Sequence, residues 1–138
     1  MAQKIVNMAN TYNLNNCLFL DWQSQATLPY SLASADLGIV TINDKTSLLS
    51  VPSKTYHLLA AGVPLLCFAS PESELNKLIF EYKNGYCFEN DDLQNIASSI
   101  MDLKKDNAKL KKLSANSLSA SLFFTKQNAH KYIEFNNM

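Results

Sequence analysis

Hydrophobic and polar positions along the chain follow two periodicities. Short apolar runs bounded by polar turns are typical of strands buried on both faces, and the stretches between them have helical spacing. The clearest helical pattern places Leu75, Leu78, Ile79 and Tyr82 at i, i+3, i+4 and i+7. The pattern predicts strands at 17–20, 36–41, 64–68 and 86–88. It predicts helices at 2–12, 28–35, 53–61, 71–82, from 91 onward, 106–121 and 125–135.

Strands that alternate with helices predict an α/β protein with a mainly parallel sheet. The 138 residues suffice for one domain, and no repeat, low-complexity tract or linker divides them. Helix ends are predicted from capping residues. Ser70 and Pro71 would start the fourth helix, Asn84 and Gly85 would end it, and Asn90 would cap the next.

Two helices have predicted inner faces. The helix after Asn90 would bury one set of residues and the helix at 106–121 another. The first set is Leu93, Ile96, Ala97, Ile100 and Met101, and the second is Leu110, Leu113, Ser117 and Leu118.

Charge and cysteine content restrict which ligands the chain is expected to bind. Twelve lysines balance twelve acidic residues, so no broad field favours nucleic acid or membranes. Because there is no arginine, a phosphate would be held by lysine, hydroxyls and backbone N–H groups. There are three cysteines, and an odd number without paired spacing argues against a disulfide framework or a zinc site. Each lies in an apolar run, so we predict that all are reduced core residues: Cys17, Cys67 and Cys87. With no apolar run near the roughly 20 residues of a membrane span, we expect a cytoplasmic chain, or one peripheral to the inner membrane face.

The stretch VPSKTYHLLAAGVPLL, residues 51–66, carries the candidate chemistry. Ser53 is predicted to cap a helix that Gly62 ends. Lys54 lies in the first turn, where N–H groups and the helix dipole favour an anion, and His57 shares its face. Such groups at the mouth of a parallel sheet suit a phosphorylated ligand. Capping alone would explain Ser53, and His57 is either a ligand contact or a surface residue. Trp22, after the first strand, either stacks on a nucleobase or anchors a half-buried loop.

The same stretch resembles the core signature of a known family. It is similar to the C-terminal, donor-binding domain of retaining nucleotide-sugar glycosyltransferases of the GT-B fold (glycosyl transferases group 1, family 4-like). The resemblance continues through NNCLFLDW, LPYSLASADLGIV and ESELNKLIFEYKNGYCFEND, and covers about residues 1–136. It implies a partial Rossmann-like, doubly wound parallel sheet with C-terminal helices, forming a single partial nucleotide-sugar-binding domain.

The resemblance also implies roles for individual residues. Ser53 and Lys54 match the pair that meets the donor's pyrophosphate, and Lys54 would act in catalysis by stabilising the departing diphosphate. His57 and Leu49 stand where the family has a pair of glutamates, one of which binds the ribose. The family's glycine-rich loop corresponds to residues 69–73 here. The candidates for sugar hydroxyls in it are Ser70, Glu72 and Ser73. No metal or cofactor is implied.

The resemblance further predicts that the chain is a fragment. The family's donor domain begins with two more βα units, which have no counterpart here. In the strand order 3-2-1-4-5-6, their loss leaves the strand at 17–20 without a neighbour and opens the sheet edge at 36–41. A truncated reading frame, a split gene product or a shortened piece would each give this arrangement.

The implied function is donor binding for transfer of a sugar from a nucleoside diphosphate to a glycan or lipid-linked acceptor, as in polysaccharide biosynthesis. Because the acceptor domain is missing, we expect the chain alone to be inactive. One alternative is a non-catalytic remnant or split-enzyme half. It would act as a binding or assembly module, with a separate N-terminal acceptor domain or a second copy as its partner. The other alternative is a nucleotide-sugar epimerase-like domain, since one architecture serves several chemistries.

Overall fold

A computed structural model describes residues 2–42, 48, 50–89 and 92–125. Helices and strands alternate along this part of the chain, as expected. The elements are α1 (Ala2–Thr11), α2 (Leu28–Ala33), β1 (Gly38–Thr41), α3 (Ser53–Ala60), β2 (Leu65–Phe68), α4 (Glu74–Tyr82), β3 (Gly85–Phe88), α5 (Leu93–Lys105) and α6 (Asn107–Ser121). The helix predicted at 125–135 lies almost wholly outside the described residues.

The described strands form one parallel sheet in the order β1-β2-β3. This arrangement confirms the predicted α/β class and is compatible with a partial Rossmann-like fold. Leu65 starts β2 opposite Gly38 on one side and Gly85 on the other. A Cβ atom on Gly85 would lie 2.0 Å from the Leu65 carbonyl oxygen, so only glycine allows β3 to start here.

The core surrounds β2, the central strand of the sheet. Leu65 and Cys67 of β2 are fully buried, and α3, α4 and α6 add their own apolar residues. The buried contributors from these helices are Leu58, Leu59, Leu75, Leu78, Ile79 and Ala120. A strand covered on both faces explains why residues 64–68 form a continuous apolar run.

Helix α6 is joined to the turn between α3 and β2 by two hydroxyl groups. Ser114 Oγ donates to the Gly62 carbonyl at 2.7 Å, and Ser117 Oγ donates to the Val63 carbonyl at 3.0 Å. Gly62 has φ +71°, in the left-handed region, and ends α3 as predicted. The two bonds satisfy carbonyls that the turn would otherwise leave without a partner.

The predicted strand at 17–20 is wrong. These residues form no strand, and the side chains of Leu18 and Leu20 are 81% and 63% exposed. A strand needs a neighbour to bond, and the described sheet places none beside this segment. The prediction that Cys17 lies in the core is therefore wrong as well, because its thiol is exposed. Cys67 is buried and Cys87 is half-buried, and burial raises the pKa of both thiols.

Helix α4 ends at Tyr82 as predicted, but the capping residues predicted for its two ends are wrong. Ser73, rather than Ser70, caps the helix, and its Oγ accepts a bond from the Asn76 N–H at 3.1 Å. The loop before Ser73 remains a turn that contains Pro71. At the other end, Lys83 takes the left-handed conformation with φ 50° and donates its N–H to the Ile79 carbonyl.

The predicted inner face of α5 is largely wrong. Of its five residues only Ile96 is buried, and Leu103 is the helix's other buried side chain. Helix α5 packs mainly against α6 instead of the sheet, so it buries a narrower stripe. In α6, Ser117 is buried as predicted but Leu118 is 48% exposed. Asn90 lies outside the described residues, and Asp92 occupies the N-cap position of α5.

Two buried side chains have polar atoms without a hydrogen-bond partner among the described residues. They are the Oγ1 of Thr55, in the first turn of α3, and both amide atoms of Asn84, which precedes β3. Both residues are 0% exposed. Burying an unsatisfied hydroxyl costs about 1–3 kcal/mol, so Thr55 is a local source of instability.

The Ser117 hydroxyl has a hydrogen-bond partner, whereas that of Thr55 has none among the described residues. Removing the two hydroxyls should therefore have opposite effects on stability. Thr55→Val removes an unpartnered hydroxyl at constant shape and should raise the free energy of unfolding by about 1 kcal/mol. Ser117→Ala removes a hydroxyl that bonds the Val63 carbonyl and should lower it by about 1 kcal/mol. Urea denaturation measures both. A Thr55→Val protein less stable than the wild type would show that the Thr55 hydroxyl has a partner.

Candidate functional site

Each strand of the parallel sheet is followed along the chain by a helix. β1, β2 and β3 are each followed by a loop and then by α3, α4 and α5. The carboxyl ends of parallel strands lie at one edge of the sheet, so the loops before these helices share that edge. Open α/β sheets bind their ligands there. Within the described residues, the candidate site therefore comprises 50–54, at the start of α3, and the loop at 69–73.

The first turn of α3 presents backbone N–H groups to this edge. Pro52 is the N-cap residue and makes no side-chain cap, so the prediction that Ser53 caps α3 is wrong. Ser53 is the first helical residue and its side chain is exposed. Thr55 donates its N–H to the Pro52 carbonyl at 2.9 Å. Among the described residues, no carbonyl accepts from the N–H groups of Ser53 or Lys54. These two donors are suited to an anion.

Lys54 extends from the same turn to strand β1. Its Nζ donates to the Ile39 carbonyl oxygen at 3.1 Å. The positive end of the helix dipole disfavours a cation at this position, and the carbonyl offsets part of that effect. The side chain is exposed, so a stronger acceptor such as a phosphate oxygen could replace the carbonyl.

His57 lies one turn further along α3 and is exposed. It lines a groove of about 440 Å³ between α2 and α3. The remaining lining residues are apolar except for one tyrosine; they are Leu28, Pro29, Tyr30, Leu32, Ala33, Ala60 and Ala61. One imidazole nitrogen can donate to a hydroxyl and the other can accept from one, so His57 could bond a ribose at the groove's margin.

The loop between β2 and α4 holds the other predicted sugar contacts. Ser70 is half-buried and Glu72 is exposed, so both remain predictions. Ser73 is fully buried, and its hydroxyl oxygen caps α4, which removes it from reach of a ligand in this conformation. Glu74 bonds Lys77 at 2.7 Å in an exposed pair on α4.

Trp22, the predicted residue after the first apolar run, is almost fully exposed. Trp22 lies between α1 and α2 and is 97% exposed, so the prediction of a half-buried loop anchor is wrong. Nothing in the described residues tests whether it stacks on a base. Leu49, which stands at a family glutamate position, lies outside the described residues.

Two features of the site were not predicted from the sequence. One is the bond from Lys54 to Ile39, which joins residues 15 positions apart. The other is Thr55, whose unpartnered hydroxyl lies in the same first turn. Its position three and four residues before the buried Leu58 and Leu59 was the available signal for burial.

Within the described chain, no group of three or more His, Cys, Asp or Glu side chains could hold a metal ion. Nor is any helix of that part long and apolar enough to cross a bilayer. The sequence matches no protein-family model, and no curated protein shows significant similarity to it.

Ser73 caps a helix and Ser53 does not, and a matched pair of alanine substitutions tests this difference. Ser73→Ala removes a side-chain cap and should lower the free energy of unfolding by about 1 kcal/mol. Ser53→Ala removes an exposed hydroxyl that caps nothing and should change it by less than about 0.5 kcal/mol. Thermal or urea unfolding provides the measurement. Equal losses from both substitutions would contradict the assignment of Ser73 as the only cap of the pair.

Proposed function

We propose that the chain binds a nucleoside-diphosphate sugar at the carboxyl edge of its parallel sheet, with the diphosphate at the first turn of α3. The observation that carries the proposal is that the first turn of α3 holds two N–H groups, of Ser53 and Lys54, that bond no carbonyl of the described residues, together with the ammonium of Lys54. Helix N-termini attract phosphates through such groups. The resemblance of residues 51–66 to a donor-binding signature supports the same ligand class.

Lys54 would exchange one acceptor for a better one when the ligand binds. Its bond to the Ile39 carbonyl joins a cation to a neutral acceptor. A diphosphate oxygen carries negative charge, so the ammonium would gain a Coulombic attraction that the neutral carbonyl does not offer. In a transfer reaction the same ammonium would stabilise the negative charge that develops on the departing diphosphate.

The rest of the ligand would extend along neighbouring loops. His57 is one turn from Lys54 and would bond a ribose hydroxyl through a ring nitrogen. Ser70 and Glu72, in the loop after β2, are the candidates for the sugar's hydroxyls. Ser73 is left out of this proposal because its hydroxyl caps α4 within the buried core.

The proposed reaction is transfer of the sugar to a glycan or lipid-linked acceptor, with Lys54 as the catalytic residue. Such a reaction needs an acceptor-binding partner, so the chain alone should show no turnover. A binding or assembly module without catalysis is the second candidate. It is favoured by His57 and Leu49 in place of two acidic residues, because neither can accept a bidentate bond from ribose hydroxyls.

Calorimetric titration with uridine and guanosine diphosphate sugars tests the proposal. Wild-type chain should bind at least one of them, and Lys54→Ala should weaken binding by about tenfold, which is the loss of about 1.4 kcal/mol. The matched control is Lys77→Ala, which removes an equally flexible, exposed lysine paired with Glu74 on α4. It should bind as the wild type does. Absence of binding, or equal losses in both variants, would contradict the proposal.

A further inference from the structure

Two backbone segments of the described chain lack a strand partner within residues 2–42, 48, 50–89 and 92–125, and they complement each other. One is an apolar segment without a sheet, and the other is a sheet edge without a strand. The segment is residues 17–20, here called the free segment. The edge is the outer side of β1.

The free segment has the apolar composition of a buried strand but makes no strand hydrogen bonds within the described residues. Its sequence is CLFL, and no backbone hydrogen bond within the described residues involves it. Leu18 is 81% exposed, Phe19 47% and Leu20 63%. Contiguous exposed apolar residues on this scale are uncommon in monomers and mark interaction sites.

The edge of β1 offers the missing partner groups. Gly38 donates its N–H to the Pro64 carbonyl at 2.8 Å, and Ile42 donates to the Phe68 carbonyl at 3.2 Å. Alternate residues of a strand point their backbone groups in opposite directions, so Ile39 and Thr41 direct theirs away from β2. The outward Ile39 carbonyl accepts from Lys54 Nζ at 3.1 Å, and an added strand would replace that bond. The Ile39 side chain is 53% exposed. The opposite edge of the sheet, β3, is half-buried at all four positions and offers less.

We propose that two copies of this chain associate by reciprocal strand addition, the free segment of each copy pairing with β1 of the other. Each copy contributes one free segment and one β1 edge, so the reciprocal exchange closes at a symmetric dimer. The strand would run parallel to β1. In that direction the partner's Asp21, which follows Leu20 in the sequence, arrives at the carboxyl end of β1.

Charged residues where the free segment would meet β1, here called the junction, favour a second copy of the chain and the parallel direction. Lys54 holds its ammonium 3.1 Å from the Ile39 carbonyl, at the edge that would be covered. Once the added strand takes the Ile39 carbonyl, the partner's Asp21 would pair with this lysine near the N-terminus of α3, where the helix dipole favours a carboxylate. These are the groups proposed above to hold the diphosphate, so the dimer contact and the ligand would compete for them. The antiparallel direction would move the carboxylate to the other end of β1.

Light scattering on a sizing column, together with hydrogen exchange, tests the dimer. The wild type should have twice the mass of one chain, and alternate amides of 17–20, with those of Ile39 and Thr41, should lose protection together on dilution. Leu18→Asp with Leu20→Asp should weaken self-association by roughly 100-fold or more, since carboxylates are poorly buried. Leu93→Asp is the control, because Leu93 on α5 is 73% exposed and outside the junction. It should remain dimeric.

Mixing two defective variants tests reciprocity. Ile39→Pro removes an outward N–H while leaving the bonds of Gly38 and Ile42 to β2, and should be monomeric with unchanged circular dichroism. An equimolar mixture with the Leu18→Asp, Leu20→Asp variant should form a heterodimer through one intact junction. A monomeric wild type, protection of 17–20 that is independent of concentration, or a mixture that stays monomeric would each overturn the proposal.

Discussion

The close approach of β3 to β2 is the constraint on which the described fold depends. Gly85 begins β3 directly beside the Leu65 carbonyl, where any Cβ atom would collide with backbone at 2.0 Å. The pairing of Gly85 with Leu65 is possible only with glycine at this position, and β2 pairs with β1 on its other side. Because β2 is buried on both faces, the helices that cover it are fixed by the same strand. The positions of the described loop residues at the carboxyl edge follow from these pairings.

The candidate site is a consequence of that geometry. Parallel strands bring the starts of α3 and α4 to one edge, and Pro52 leaves the first turn of α3 without a side-chain cap. The N–H groups of Ser53 and Lys54 are therefore unengaged within the described structure. The β2–α4 loop differs, because Ser73 caps its helix from within the core. An anion would thus find its donors on α3, beside the Lys54 ammonium.

Sequence periodicity predicted much of the fold because it reports burial, and burial dominates the elements around β2. The strand at 64–68 and the helix of Leu75, Leu78 and Ile79 follow directly from it. It failed at 17–20, since an apolar run has the same pattern whether or not a neighbouring strand exists. It also failed at Ser70, because Ser70 and Ser73 are competing cap signals that only packing separates. The bond from Lys54 to Ile39 is a long-range contact, which no local pattern encodes.

The central claim is that the first turn of α3 is an anion site. Titration of the isotope-labelled chain with inorganic pyrophosphate, followed by amide chemical shifts, tests it without assuming a base or a sugar. The account predicts that the largest shift changes fall on the amides of Ser53 and Lys54, with smaller ones in β1 as the Lys54 side chain leaves Ile39. Shift changes centred on the lysines of α6, or none that saturate, would contradict it.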